Sequence, residues 1–158
     1  MLLEEGHEIG NHAYSHPDMS KLTMERINEE LDRTNKAIEA ALEVTPKWFA
    51  PPSGSHNQVV VDRAAHYGMK TVMWSVDTID WRNPPVNDMV ERVTNKLHPG
   101  AMVLMHPTEV TSAGLEQMIL NSKEKGYKIG TVSELLSEKR VNINAIDENR
   151  GITSGYNN

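Results

Sequence analysis

Two histidines four residues apart, His12 and His16, are the first side chains in this sequence whose type and spacing can do chemistry. On one face of a helical turn they bring two imidazoles to a single ion. Gly10 and Pro17 bracket the pair and make it a fixed bend. Two histidines do not complete a zinc site, which takes a third protein ligand and an open position for water. Two surface histidines in a loop have the same spacing.

Three further clusters carry reactive or positioning groups. Ala50-Pro51-Pro52-Ser53-Gly54 forms a rigid loop, and its backbone N–H groups can face a developing oxyanion. An ordinary Pro-Gly turn reads the same way. Ser53 is not a serine nucleophile, because the G-x-S-x-G elbow is absent. Asp77-Thr78-Ile79-Asp80-Trp81 supplies two acids that can orient a histidine and an indole that can stack on a sugar. Its bland alternative is an Asp cap beside a packed Trp. In Leu104-Met105-His106-Pro107, His106 directly follows an apolar run. His7, His56, His66 and His98 have no such context.

The elements that must position these groups alternate between helix and strand. Met24, Ile27, Leu31, Ile38 and Leu42 recur at helical spacing behind Thr23 as N-cap, up to Pro46. Trp48-Phe49 reads as a short strand. Val60, Ala64 and Tyr67 mark a helix stopped by Gly68, and Lys70 to Val76 reads as one buried strand. Val90, Val93 and Leu97 mark a third helix ended by Pro99-Gly100. Ala101 to Met105 is a strand covered on both faces. Leu115 to Lys125 is a fourth helix with Gly126 as its stop, and Tyr127 to Gly130 a short strand. Thr131 and Glu134 form a capping box for a last helix through Leu136. This order predicts an α/β fold, a parallel sheet covered by helices, doubly wound or a barrel. In such folds chemistry gathers at the carboxyl ends of the strands, where all four clusters fall.

With 158 residues the chain makes one domain, assigned to 1–138, with a polar, Asn-rich tail at 139–158 expected to be poorly ordered. The net charge of −6, without a basic cluster, argues against a nucleic-acid partner. Absence of cysteine excludes disulfides and thiolate metal sites. No apolar run reaches the ~20 residues of a membrane span. Met1 to Gly10 has neither a basic nor an apolar signal region, and Met1 to Gly6 reads as the last turn of a helix with its glycine stop. A domain rarely begins there, so a fragment or an internal start is expected.

The four clusters, in this order, resemble the motifs of the polysaccharide deacetylase family, carbohydrate esterase family 4, whose catalytic module is the NodB-homology domain. His12 to His16 is similar to its second motif, Ala50 to Gly54 to its third, Asp77 to Trp81 to its fourth and Leu104 to His106 to its fifth. The phrase His7-Glu8-Ile9-Gly10-Asn11-His12 is typical of it as well. The resemblance runs from about Glu5 to Leu136. It implies a distorted (β/α) barrel, here without its N-terminal strands. It also implies a divalent metal, commonly zinc, on His12 and His16, and hydrolysis of N-acetyl groups on an amino-sugar polymer such as peptidoglycan or chitin. The N–H of Ser53, between Pro52 and Gly54, would hold the oxyanion. His106 would be the general acid, paired with Asp80 in preference to Asp77. Trp81 and Leu104 would line the acetyl groove. Family members act outside the cytoplasm.

Three departures stand against the pattern. The family's first motif, T-F-D-D-G, which brings the third ligand and the base, would lie upstream of Met1. The third motif's Arg is Ala50, and the Ser or Thr after the first histidine is Ala13. Sporulation-associated members share the A-P-P-S-G form. Two functions follow from these observations: a metal-dependent N-deacetylase, or a decayed relative that binds glycan or serves as a scaffold in spore formation.

Overall fold

The computed structural model describes residues 2–137, so the tail assigned to 139–158 lies outside the described residues. Four short strands, β1 (Trp48–Phe49), β2 (Lys70–Thr71), β3 (Val76–Asp77) and β4 (Val103–Leu104), are interspersed with α1 (Met24–Leu42), α2 (Gln58–His66), α3 (Val86–Lys96) and α4 (Glu109–Glu124), β3 following β2 without a helix between them. A last short helix, α5, spans Val132–Leu135. Both strand pairs, β1 with β2 and β3 with β4, are parallel, and Asn11 adds a parallel bridge to Phe49. The expected parallel α/β organisation is therefore present. The described strands form two separate two-stranded ladders, not a closed ring.

Local chemistry explains most boundaries. Thr23, Asn57 and Thr108 each cap a helix by accepting a backbone N–H three residues on. At Thr131 the capping box is complete. Gly6 stands at φ +84, with Gly6 N–H on Leu3 O and His7 N–H on Leu2 O, the paired bonds that close a helical turn at a glycine. Each ladder has its own core. Ile27 and Leu31 of α1 pack with Phe49, Val60, Ala64 and Met69. Val76 packs with Met89, Val90 and Val93 of α3 and Met118 of α4.

Several expectations need correction. The run from Lys70 to Val76 is not one strand. Its first two residues pair with β1, while Val76 and Asp77 pair with β4, so the segment passes from one ladder to the other. Helix α1 stops at Leu42, ahead of Pro46, because Glu43 takes a left-handed conformation at φ +56. Helix α4 begins at Glu109, six residues before Leu115, because Thr108 caps it. Residues 127–130 join no ladder. The strand expected at Ala101 to Met105 is confined to Val103–Leu104, and these residues are only half-buried, so it is not covered on both faces. It lines a cleft of about 770 Å³ with Leu97, Met118, Ile129 and Val132.

Helices α3 and α4 touch at Gly114, where a Cβ would lie 2.7 Å from Met89 Cε and 3.0 Å from Val90 Cγ2. Glycine is needed there for close approach. Gly114→Val should destabilise the chain by about 1–3 kcal/mol through overpacking, read as a lower midpoint in urea.

Candidate functional site

The four clusters all follow parallel strand positions directly, and they meet on one rim. His12 follows the Asn11 bridge and Ala50 follows β1. Asp80 lies three residues beyond β3 and His106 two residues beyond β4. Because Asp77 pairs with Leu104 in register, the chain ends that carry Asp80 and His106 emerge side by side.

Asp80 is the electrostatic centre of one half of the site. Its side chain is fully buried, while that of His106 is 41% exposed. One carboxylate oxygen, Oδ1, lies 2.7 Å from His106 Nδ1. The other, Oδ2, accepts the His106 backbone N–H at 2.6 Å and the Thr111 hydroxyl at 2.6 Å. Burial pushes the Asp80 carboxyl up, but the hydrogen bonds from Thr111 and His106 outweigh it and hold the group at about 2, against an ordinary 3.8. With Nδ1–H on Asp80, the imidazole presents Nε2 outward.

Asp77 does something else. Its Oδ1 accepts the N–H of Ile79 at 2.8 Å. Ile79 is a β-branched residue at φ +55, a conformation such residues rarely adopt. Asp77 therefore holds the turn that aims Asp80, and of the two acids it is Asp80 that lies against His106. Trp81 is 58% exposed at the rim, with the Arg82 guanidinium 4.6 Å from its ring centroid. Leu104 is half-buried.

The other half of the site is the histidine pair. His12 and His16 lie with ring centroids 5.1 Å apart, edge to face. They are not on a helical turn, as the spacing had suggested. The segment is irregular, with Ala13 at φ +59 and His16 at φ +57. Side chains satisfy its amides instead. Ala13 N–H donates to Asn11 Oδ1, and the N–H groups of Tyr14 and Ser15 donate to Glu30. His12 Nδ1 sits 2.7 Å from the Ala50 carbonyl. Donation there leaves the Nε2 lone pair for a ligand. Protein around the ring and the nearby His16 and His106 lower the His12 basicity, against the raising effect of the Ala50 carbonyl, so the neutral form is favoured. The two imidazoles could hold a metal, but among the described residues no three His, Cys, Asp or Glu side chains gather for one.

The loop at Pro52–Gly54 has Ser53 at φ +53 and Gly54 at φ +69. The N–H groups of Gly54 and Ser55 are used on the carbonyls of Pro51 and Pro52. Among the described residues no bond takes the N–H of Ser53. A Cβ on Gly54 would lie 3.2 Å from Met73 Cε and 3.6 Å from the Trp74 ring.

Glu30, Asn11 and Thr111 were not singled out from sequence. Helical periodicity placed the first only as a polar residue of α1. Thr111 was hidden by the late expected start of α4; the pattern His-Pro-Thr, with Thr108 as cap, was the available signal.

Comparison with known proteins gives a consistent assignment. The family model described as polysaccharide deacetylase matches residues 1–72. An uncharacterised Bacillus subtilis protein, YlxY, is 56% identical over 89% of this chain and 44% of its own length. A peptidoglycan-N-acetylglucosamine deacetylase from Bacillus cereus is 36% identical over 87% of this chain and 67% of its own. The crystal structure of a carbohydrate esterase family 4 pseudoenzyme from Bacillus anthracis is 50% identical. It superposes with a TM-score of 0.86 over 89% of this chain and 50% of that one, and a mutant of the pseudoenzyme is described as having restored enzymatic activity. The chain thus spans about half the length of several relatives it matches.

Two outcomes test the Asp80 geometry. A carboxylate depressed in the folded state stabilises it above the unfolded value, and that contribution is lost as pH falls from about 4 towards 2. Wild-type stability should therefore drop over this window, and the drop should be shallower in Asp80→Asn when urea midpoints are followed against pH. Thr111→Val, which removes a buried hydroxyl bonded to a charge, should cost about 1–3 kcal/mol at neutral pH.

Proposed function

Because the chain belongs to the polysaccharide deacetylase family, carbohydrate esterase family 4, we propose that it carries the acid and the histidine pair of a metal-dependent amino-sugar N-deacetylase centre acting on peptidoglycan or a similar polymer. The single observation that carries this reading is the buried Asp80 holding His106 by Nδ1, on the same rim as the His12–His16 pair.

His12 and His16 would hold a divalent ion, zinc being suited to two imidazoles, and the neutral, Ala50-bonded His12 fits that use. The ion would supply Lewis-acid polarisation and an activated water. Hydrolysis breaks the acetamide C–N bond, adds hydroxide to the carbonyl carbon and a proton to the departing nitrogen. The N–H of Ser53 would donate to the oxygen on which charge develops. His106 would give its Nε2 proton to the amine, while Asp80 stabilises the imidazolium and fixes its orientation. Trp81 and Leu104 would flank the acetyl group, with the exposed indole as a sugar platform. Among the described residues no third His, Cys, Asp or Glu side chain joins the pair.

A second reading is favoured by specific residues. Ala50 stands where family members carry Arg, Ala13 where they carry Ser or Thr, and a half-identical neighbour is described as a pseudoenzyme. On this reading the same rim binds glycan without cleaving it. In either case the site of action is the cell wall, supported by peptidoglycan deacetylases among the relatives. A spore-related role is supported by the A-P-P-S-G form of the third motif. No helix among the described residues is long and apolar enough to cross a membrane.

Acetate release from N-acetylglucosamine oligomers and from peptidoglycan tests the proposal. It should be measured on zinc-loaded protein, both this chain and the longest polypeptide encoded in frame with it. Catalysis predicts release that falls by about 10²-fold or more in His106→Ala. No release from folded, zinc-holding protein would reject catalysis and leave glycan binding.

A further inference from the structure

The histidine pair sits on a segment that no helix or strand holds beyond Asn11. Two of its residues, Ala13 and His16, are non-glycine residues in the left-handed region, which persists only where surrounding bonds impose it. The bonds that impose it come from side chains, and most end on one group. Glu30, on α1, is completely buried. Its Oε2 accepts the N–H of Tyr14 at 2.9 Å and of Ser15 at 2.7 Å, and its Oε1 accepts the Ser15 hydroxyl at 2.7 Å. Arg26, one turn earlier on α1, pairs with Oε1 at 2.9 Å and balances the charge.

We infer that Glu30 is the positioning residue of the His12–His16 pair: its buried carboxylate grips two of the three amides between the histidines and so sets the imidazole spacing. The inference rests on the reading of that pair as metal ligands. A carboxylate suits the task because it is acceptor-only and can take several donors at once. It compensates for Ala13, which has no side-chain hydroxyl to tie the segment down. The position on α1 matters too. Glu30 lies between Ile27 and Leu31, both fully buried in the first core, so the grip is anchored beside that packed core.

The test compares Glu30→Ala, Glu30→Gln and a core control on the same helix, Ile27→Val, in the 158-residue chain, each shown folded by circular dichroism. Zinc affinity by competition titration should fall about tenfold or more in Glu30→Ala. Glu30→Gln, which keeps one carbonyl acceptor, should fall less, and Ile27→Val should stay within about twofold. An affinity in Glu30→Ala no lower than in Ile27→Val would overturn the inference. If wild type binds no zinc, or binds it equally well as His12→Ala, the ligand reading fails. Hydrogen exchange then decides the role of Glu30 alone. Tyr14 and Ser15 amides should exchange faster in both Glu30 variants and unchanged in Ile27→Val; rates unaltered by the Glu30 changes would overturn it.

Discussion

Parallel pairing is the constraint on which the site depends. In a parallel ladder all strands end on the same side, so the residues that follow them share one rim whatever their separation in sequence. The register of β3 with β4 sets Asp77 opposite Leu104. Asp80 and His106 then lie three and two residues past their strands and meet at hydrogen-bond distance. A slip of one residue would reverse every side chain on the shifted strand. The same logic joins the Asn11 bridge to β1, which brings His12 to the carbonyl of Ala50.

Pairing delivers the groups, and two buried carboxylates fix their orientation. Asp80 and Glu30 are both withdrawn from water, which disfavours the charged form, and both are held ionised by convergent donors. Each joins a rim loop to a helix. Thr111 in the first turn of α4 reaches Asp80, so helix capping at Thr108 is part of the Asp80–His106 half of the rim. Glu30 in the middle of α1 reaches the histidine segment. A group held this way needs no reorganisation when charge develops beside it, which is the physical basis of preorganised electrostatic catalysis.

Much of this was legible in the sequence, for identifiable reasons. Thr23 and the Thr131–Glu134 box signal helix starts by local hydrogen bonds, and Gly6 and Gly126 signal stops by positive φ. The four rim clusters were legible because they fall together at the carboxyl ends of strands, where parallel pairing gathers polar groups on one rim. What was hidden depends on tertiary contact. The H-x3-H spacing suggests a helical turn, but Asn11 and Glu30 offer its amides better partners than a helix would. Lys70 to Val76 reads as one strand by composition, and only pairing shows that it serves two ladders. Asp77 and Asp80 are chemically alike in sequence. The αL backbone at Ile79, held by Asp77, separates their tasks.

The central claim is that Asp80 fixes His106 with Nδ1 turned inward and Nε2 offered to the rim. Side-chain ¹H–¹⁵N NMR of the histidines reads this directly. The account predicts that neutral His106 carries its proton on Nδ1, with a downfield, slowly exchanging N–H signal that is lost in Asp80→Ala. A His106 protonated on Nε2 in the neutral form, or a spectrum indifferent to Asp80→Ala, would contradict it.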